Sequence, residues 1–314
     1  MTITGQSADT RGNRRRSGAD LAYESSSVSQ QCLLCGSRGH RTIFSEFGID
    51  VLQCETCDHV FSGYPADPHF DGYWGGQVVG GEQLYWNDAR VRMHRDFIQR
   101  YLAGRSGRLL DMGSGLGYFV KSAGSCAGWE AFGCEISAAA VKHAREELGL
   151  ANVECARLED ASFPNDSFDV VTMWDLLEHV PRPDAVLGRC HALLRRGGLC
   201  FIRTPNVAVQ APRARIKKLV LGERRNVKYL GARDHAHFYS KKSIQRLLER
   251  NGFAGAEFVH LHPIGSGAAR MRLGRTLLKN ACFEAVRALS VVTRGRLSFD
   301  NLFVAAYKGA KHSQ

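Results

Sequence analysis

The chain has 314 residues, of which 44% are apolar and 23% charged, and a formal net charge of +11. These values exclude a wholly disordered or fibrous protein and leave room for one large domain plus a small module. No run of about 18 apolar residues occurs, which excludes a membrane-spanning helix of ordinary length. The ten cysteines follow an N-terminus without an apolar export segment. A reduced, cytoplasmic setting is therefore expected, in which clustered cysteines bind metal rather than pair as disulfides.

Residues 1–30 are rich in Ser, Arg and Gly and are expected to be a disordered tail. A module over 31–63 follows. Cys32-Leu33-Leu34-Cys35 and Cys54-Glu55-Thr56-Cys57 are two C-x-x-C pairs at zinc-ribbon spacing. Two thiolates on each of two tight turns complete a tetrahedron around one zinc ion, so Cys32, Cys35, Cys54 and Cys57 are the expected ligands of a structural site. With four thiolates in place, His40 and His59 are expected to be bystanders. The other cysteines, scattered in apolar contexts, read as inert core thiols. Short strands are expected at Thr42–Phe44, Val51–Gln53 and Val60–Phe61.

A linker and N-terminal helix are expected over 64–104, with an ordered aromatic loop at Ser62–Gly81 and a helix at Leu84–Leu102. From about 105 to 314 strand and helix patterns alternate, as in a doubly wound α/β sheet. The strands are expected at Arg108–Met112, Trp129–Glu135, Val153–Ala156, Phe168–Trp174, Leu199–Arg203, Ala256–His260 and Leu302–Tyr307. Two basic segments, about 206–233 and 264–296, interrupt this core as cap insertions. Arg203–Lys228 holds eight basic residues against one glutamate, and Arg270–Arg296 seven against one. Such surfaces attract anions: a phosphorylated substrate, a nucleic acid or an acidic lipid.

The first core strand ends in Asp111 and runs into Gly113-Ser114-Gly115-Leu116-Gly117. A glycine turn after the first strand lets backbone approach a nucleotide. A carboxylate just before it would repel a pyrophosphate but suits S-adenosylmethionine, which carries an ammonium and a sulfonium and no phosphate. Glu135, ending the second strand, is placed to accept hydrogen bonds from both ribose hydroxyls.

The segment Leu110–Gly117, with Glu135, Ser167-Phe168-Asp169-Val170-Val171, Leu177-Glu178-His179-Val180 and Leu193-Leu194-Arg195-Arg196-Gly197-Gly198, resembles class I S-adenosylmethionine-dependent methyltransferases. It is similar to the small-molecule branch that includes ubiquinone-type O-methyltransferases. His235-Ala236-His237-Phe238-Tyr239-Ser240 and the final Asp300-Asn301-Leu302-Phe303-Val304 are similar to that branch too. The resemblance, over about Leu84–Gly309, implies a Rossmann-like sheet of seven strands with the last antiparallel. It implies that Asp111, Gly113, Gly115 and Gly117 hold the methionine part of the cofactor, that Glu135 holds the ribose, and that Ile136 and Leu158 flank the adenine. Trp174 then ends the strand beside the methyl-donor pocket.

Methyl transfer is an in-line displacement, so the protein mainly aligns acceptor, methyl and sulfur. A hydroxyl acceptor also needs a base, for which His179, His235 and His237 are the candidates, with Asp175 behind them. The leading function is methyl transfer to a small and possibly anionic acceptor, most directly O-methylation of a secondary metabolite, sugar or glycan precursor. The alternative is an RNA methyltransferase guided by the zinc module. Ranked below these are a non-catalytic zinc adaptor and a sugar C-methyltransferase. The C-methyltransferases add a further C-terminal domain, which is not expected here because the chain ends at Gln314, soon after the last strand.

Overall fold

The computed structural model describes residues 31–64, 88–224, 227–261 and 301–309, with positions 285 and 288. The expected tail over 1–30, most of the Ser62–Gly81 loop and, apart from those two positions, the second basic segment lie outside the described residues.

The core is a seven-stranded sheet. Its strands are β4 (Gly107–Met112), β5 (Trp129–Glu135), β6 (Val153–Cys155), β7 (Phe168–Trp174), β8 (Leu194–Pro205), β10 (Phe253–Val259) and β11 (Asn301–Lys308). Their spatial order is β10-β11-β8-β7-β4-β5-β6. β4 through β8 pair in parallel, and β11 runs antiparallel to both β8 and β10. β7 and the Leu199–Ile202 stretch of β8 are near-continuous apolar runs, as strands covered on both faces must be. The sheet matches the expected fold class. β8 starts at Leu194, five residues earlier than the apolar run beginning at Leu199 indicates, because it includes the exposed Arg195–Gly197 turn side.

Helix α1 (Asp88–Tyr101) places Met93, Phe97 and Tyr101 one turn apart on its buried face. Phe97 meets Phe201 with ring centroids 4.7 Å apart, and Trp174 at 5.4 Å. Helix α2 (Tyr118–Gly124) follows the glycine turn. Helix α3 (Ala138–Glu146) is capped by Ser137, whose hydroxyl accepts from Ala140 N. Helix α4 (Pro183–Leu193) joins β7 to β8, and α6 (Lys241–Arg250) opens with a reciprocal Ser240/Ser243 cap.

The first basic segment contains a helix, α5 (Val207–Leu221), with Asn206 as its cap. One face, Val207, Ala211 and Ala214, packs in a core shared with Phe44, Val51, Val60 and Phe238. Those partners belong to a second, four-stranded sheet ordered β1-β2-β3-β9, made of β1 (His40–Glu46), β2 (Ile49–Cys54), β3 (Val60–Ser62) and β9 (His237–Phe238). The last strand comes from the far end of the chain: Phe61 pairs with His237 and Val60 with Phe238. The cysteine-bearing segment and residues 207–238 thus share one apolar core.

Among the described residues, no helix is long and apolar enough to cross a membrane.

Candidate functional site

Asp111 ends β4 and is 2% exposed. Across the sheet, Thr172 Oγ1 of β7 donates to its Oδ1 at 2.7 Å. This hydrogen bond joins the two strands at the point where the chain turns outward in both directions, the usual ligand crevice of an open α/β sheet. Burial, with the nearby Glu135 charge adding to it, pushes the Asp111 carboxyl up to about 8; the Thr172 hydroxyl works in the opposite direction.

Gly113, Gly115 and Gly117 have φ of 71°, 53° and 84°. A Cβ on Gly113 would come within 2.7 Å of Leu176, and one on Gly117 within 2.7 Å of Leu150. The turn therefore needs glycine for its conformation and for its close packing. Gly113 N and Ser114 N donate to the Cys134 carbonyl, which fastens the turn to the end of β5. Glu135 adds a second fastening: Oε2 accepts from Gly115 N at 2.9 Å and Oε1 from Ser137 N at 3.0 Å. An ionised carboxylate has about four acceptor positions, so each oxygen retains capacity for a ligand hydroxyl. Burial raises the Glu135 pKa, and these backbone donors oppose the rise.

A cavity of about 430 Å³ opens beside this crevice. Its walls come from the ends of β7 and β8 (Asp175, Arg203, Pro205), from Arg90 of α1, from Gln210, Arg213 and Lys217 of α5, and from Lys228–Leu230 and His235. Glu178, His179, Ala214 and Asn301 complete it. Asp175, at φ 55°, receives Arg90 Nη2 at 3.0 Å and also pairs with Arg203. Glu178 is buried, which pushes its pKa up to about 7 even though Thr204 Oγ1 donates to Oε2 at 2.9 Å. His179 Nδ1 lies 2.8 Å from the Asp234 carbonyl, so it carries the proton and leaves the ring lone pair on Nε2. Burial holds His179 below the ordinary imidazole range, hence neutral at pH 7. His235 is likewise depressed by burial and by its neighbour His179, whose ring centroid is 4.8 Å away. Its Nδ1 is buried without a hydrogen-bond partner. Ligand atoms of Glu178, His179 and His235 fall within 4.8 Å of one another, an arrangement able to move a proton or to hold a cation.

The four cysteines converge in the module. All four sulfurs lie within 4.8 Å of one another; Cys32 and Cys57 are 3.6 Å apart, and Cys35 and Cys54 3.5 Å. A tetrahedron with 2.3 Å metal–sulfur bonds has edges of about 3.8 Å, so the set fits zinc closely. The two knuckles repeat one geometry. Gly36 N donates to the Cys32 carbonyl and Asp58 N to that of Cys54, with Gly36 and Asp58 both left-handed at φ 73° and 62°. Burial raises Cys32 to about 11. At Cys54 the backbone donors of Cys57 and Thr56 outweigh burial and bring the thiol down to about 7.

The structure thus brings Asp111, the three glycines and Glu135 together, and groups His179 with His235. Ile136 is half-buried just beyond β5, and the Leu158 side chain lies in the main apolar core, which leaves only its backbone to face a ligand. Trp174 belongs to an aromatic cluster, with His94, Phe97, Phe119 and Phe201 at 4.9–5.4 Å. His237 is absent from the cavity lining. It is fully buried in β9, with Nδ1 3.0 Å from His59 Nε2, and burial pushes its pKa down to about 4. Extended backbone puts His235 and His237 on one face only if it stays straight, and here the strand begins at His237. His40 and His59 lie outside the sulfur cluster. Arg90 and Glu178 were not named as site residues from sequence, although Glu178 is adjacent to His179; Arg203 was read only as the start of the anion-attracting basic segment.

Comparison with known proteins agrees with this geometry. A family model described as "Methyltransferase domain" matches residues 85–257. The ubiquinone biosynthesis O-methyltransferase of Aeromonas salmonicida is 31% identical over 188 residues, covering 57% of this chain and 76% of that protein. The protein of the same name from Neisseria meningitidis serogroup C is 29% identical over 170 residues, covering 52% and 70%. Among solved structures, a chain from the complex of the Haloferax volcanii Trm112 methyltransferase activator with a methyltransferase aligns at a TM-score of 0.51 and 18% identity, over 78% of this chain and all of that one. The chain belongs to the class I S-adenosylmethionine-dependent methyltransferases.

Proposed function

We propose that the protein O-methylates a small anionic molecule. The carrying observation is the cavity: about 430 Å³, within the usual range of small-ligand sites, walled by Arg90, Arg203, Arg213, Lys217 and Lys228 against the carboxylates Asp175 and Glu178. A surplus of cations around so small a space favours a ligand with a phosphate or carboxylate. Asp111, Gly113, Gly115 and Gly117 would hold the methionine part of the cofactor, Glu135 its ribose, and Ile136 with the Leu158 backbone its adenine. The cofactor supplies an activated methyl on sulfur.

His179 Nε2 accepts the acceptor hydroxyl proton as the oxygen attacks the methyl and the carbon–sulfur bond breaks. His235 and Glu178 stand beside it to receive or share that proton. The cysteines hold one structural zinc ion.

The α5 cations divide by role. Arg215 donates to the Ile43 carbonyl and Lys218 to the Ser45 carbonyl, securing the helix to the module, while Arg213 and Lys217 line the cavity. Inorganic pyrophosphate, titrated calorimetrically, should bind at least tenfold more weakly to the double variant Arg213→Ala, Lys217→Ala while S-adenosylhomocysteine affinity holds. An RNA substrate would instead show as tight RNA binding with a slope of about −0.7 per phosphate contact in log affinity against log salt, and would overturn the small-molecule reading.

A further inference from the structure

Residues 228–236 run between the cysteine module and the cavity. We propose that Glu46, a residue of the module's first strand, is a positioning residue for methyl transfer: through the backbone of Leu230 and Ala232 it sets the orientation of His235 in the cavity wall.

Glu46 is 3% exposed, deep for a carboxylate. Both its oxygens are directed at one loop: Oε2 accepts from Leu230 N at 3.0 Å and Oε1 from Ala232 N. Hydrogen bonds to a buried carboxylate are stronger than neutral ones, and losing the acceptor leaves two buried donors unmatched. A short hydrogen-bonded path therefore runs from the module, through residues 230–232 and the Gly231 carbonyl, to the backbone of His235. Gly231, at φ 79°, makes the bend that returns the chain: Asp234 N and His235 N both donate to its carbonyl. Ser62 of β3 supports the same loop, its Oγ donating to the Ala232 carbonyl at 2.5 Å and its N–H to the Ala236 carbonyl at 3.0 Å.

The opposite side of the loop is held by the catalytic half. Ala236 N and His237 N donate to the Glu178 carbonyl at 2.9 and 3.0 Å. His235 thus sits in a segment clamped between the module and the residue next to His179. The clamp holds the backbone of His235, and with it the direction of a ring whose buried Nδ1 has no hydrogen-bond partner. The module thus backs the loop that carries His235 into the cavity wall, and Glu46 and Ser62 hold that loop from the module side. This inference rests on the role proposed above for His235, beside His179, in receiving or sharing the acceptor's proton.

Glu46→Gln tests it in the intact, zinc-loaded chain and needs no acceptor. The amide keeps the shape and one acceptor oxygen but turns an NH₂ toward one of the two backbone donors. S-adenosylhomocysteine affinity should stay within about twofold. Amide exchange at Leu230 and Ala232 should speed up at least tenfold, and the His235 ring, held below the ordinary imidazole range by burial, should titrate at higher pH than in the wild type by proton NMR. Unchanged exchange together with an unmoved His235 titration would overturn the positioning role. Exchange that rises equally over both sheets would do the same, since Glu46 would then only stabilise the fold. If Glu46→Gln does not fold, Ser62→Ala loosens the same loop from the other contact, with the same expected and refuting results. A loop that loosens as expected, in a protein whose His235→Asn variant transfers methyl normally, would instead overturn the role of His235.

Discussion

Ionisation of Asp111 should give cofactor binding a distinctive pH profile. In the free protein the carboxyl is raised to about 8 by burial, so near pH 7 it is largely protonated. The ligand's ammonium needs the carboxylate. An α-amino group itself loses its proton near 7.7–8.0, so binding requires a deprotonated Asp111 and a protonated ligand at once. The product of the two fractions rises about eightfold between pH 6 and pH 7, peaks near pH 8 and then falls. An eightfold change corresponds to about 1.2 kcal/mol. Isothermal titration with S-adenosylhomocysteine in buffers of different ionisation enthalpy should show close to one proton released per ligand at pH 6.5. Asp111→Asn keeps the Thr172 contact but has no proton to lose, so its affinity should be nearly flat from pH 6 to 7. A wild-type profile that is flat there, or a variant that keeps the eightfold slope, would refute the assignment of Asp111 to the ammonium.

Glu135→Ala should weaken S-adenosylhomocysteine by roughly 1.5–3 kcal/mol, the scale of charged hydrogen bonds, and should speed amide exchange at Gly115 and Ser137, whose N–H groups it accepts. The contribution of Asp111 to the stability of the cofactor-free protein should be lost as pH rises from about 4 toward 8, because the folded Asp111 binds a proton that the unfolded chain has already released, while the buried histidines work the other way up to about pH 6.5. The thermal midpoint of Asp111→Asn should fall less over that range. Cys54→Ser should lower zinc content from one ion per chain by metal analysis and, because the module packs on residues 207–238, should raise exchange there as well as in the knuckles.

Most of the core was readable because each signal was local. The apolar runs at Leu109–Met112 and Phe168–Trp174, the glycine turn and the two acids at strand ends each carry their meaning within a few residues. The spacing of the four cysteines fixes their convergence in the same way. What was not readable depends on distant pairing. Helix α5 was obscured because Pro212, in its interior, reads as a break and because its basic residues suggest a solvated insertion. Nothing near His237 shows that its partner is Phe61, 176 positions earlier, and so a strand that completes the module's sheet read as part of the cavity mouth. Trp174 read as a pocket residue from its place at the end of β7; the alternation along the strand turns it instead into the aromatic core on the α1 side. Arg90, Glu178 and Arg203 come from three separate elements, and only folding shows that they border one cavity.

The most direct measurement is the destination of the methyl group. The purified zinc-loaded protein would be incubated with tritium-methyl-labelled S-adenosylmethionine and cell extract separated into RNA, protein and small-molecule fractions, the last divided further on an anion exchanger. Label is expected among small molecules retained by the exchanger, and should vanish with His179→Asn. Label in RNA, or in small molecules that pass through the exchanger uncharged, would contradict methyl transfer to a small anionic acceptor.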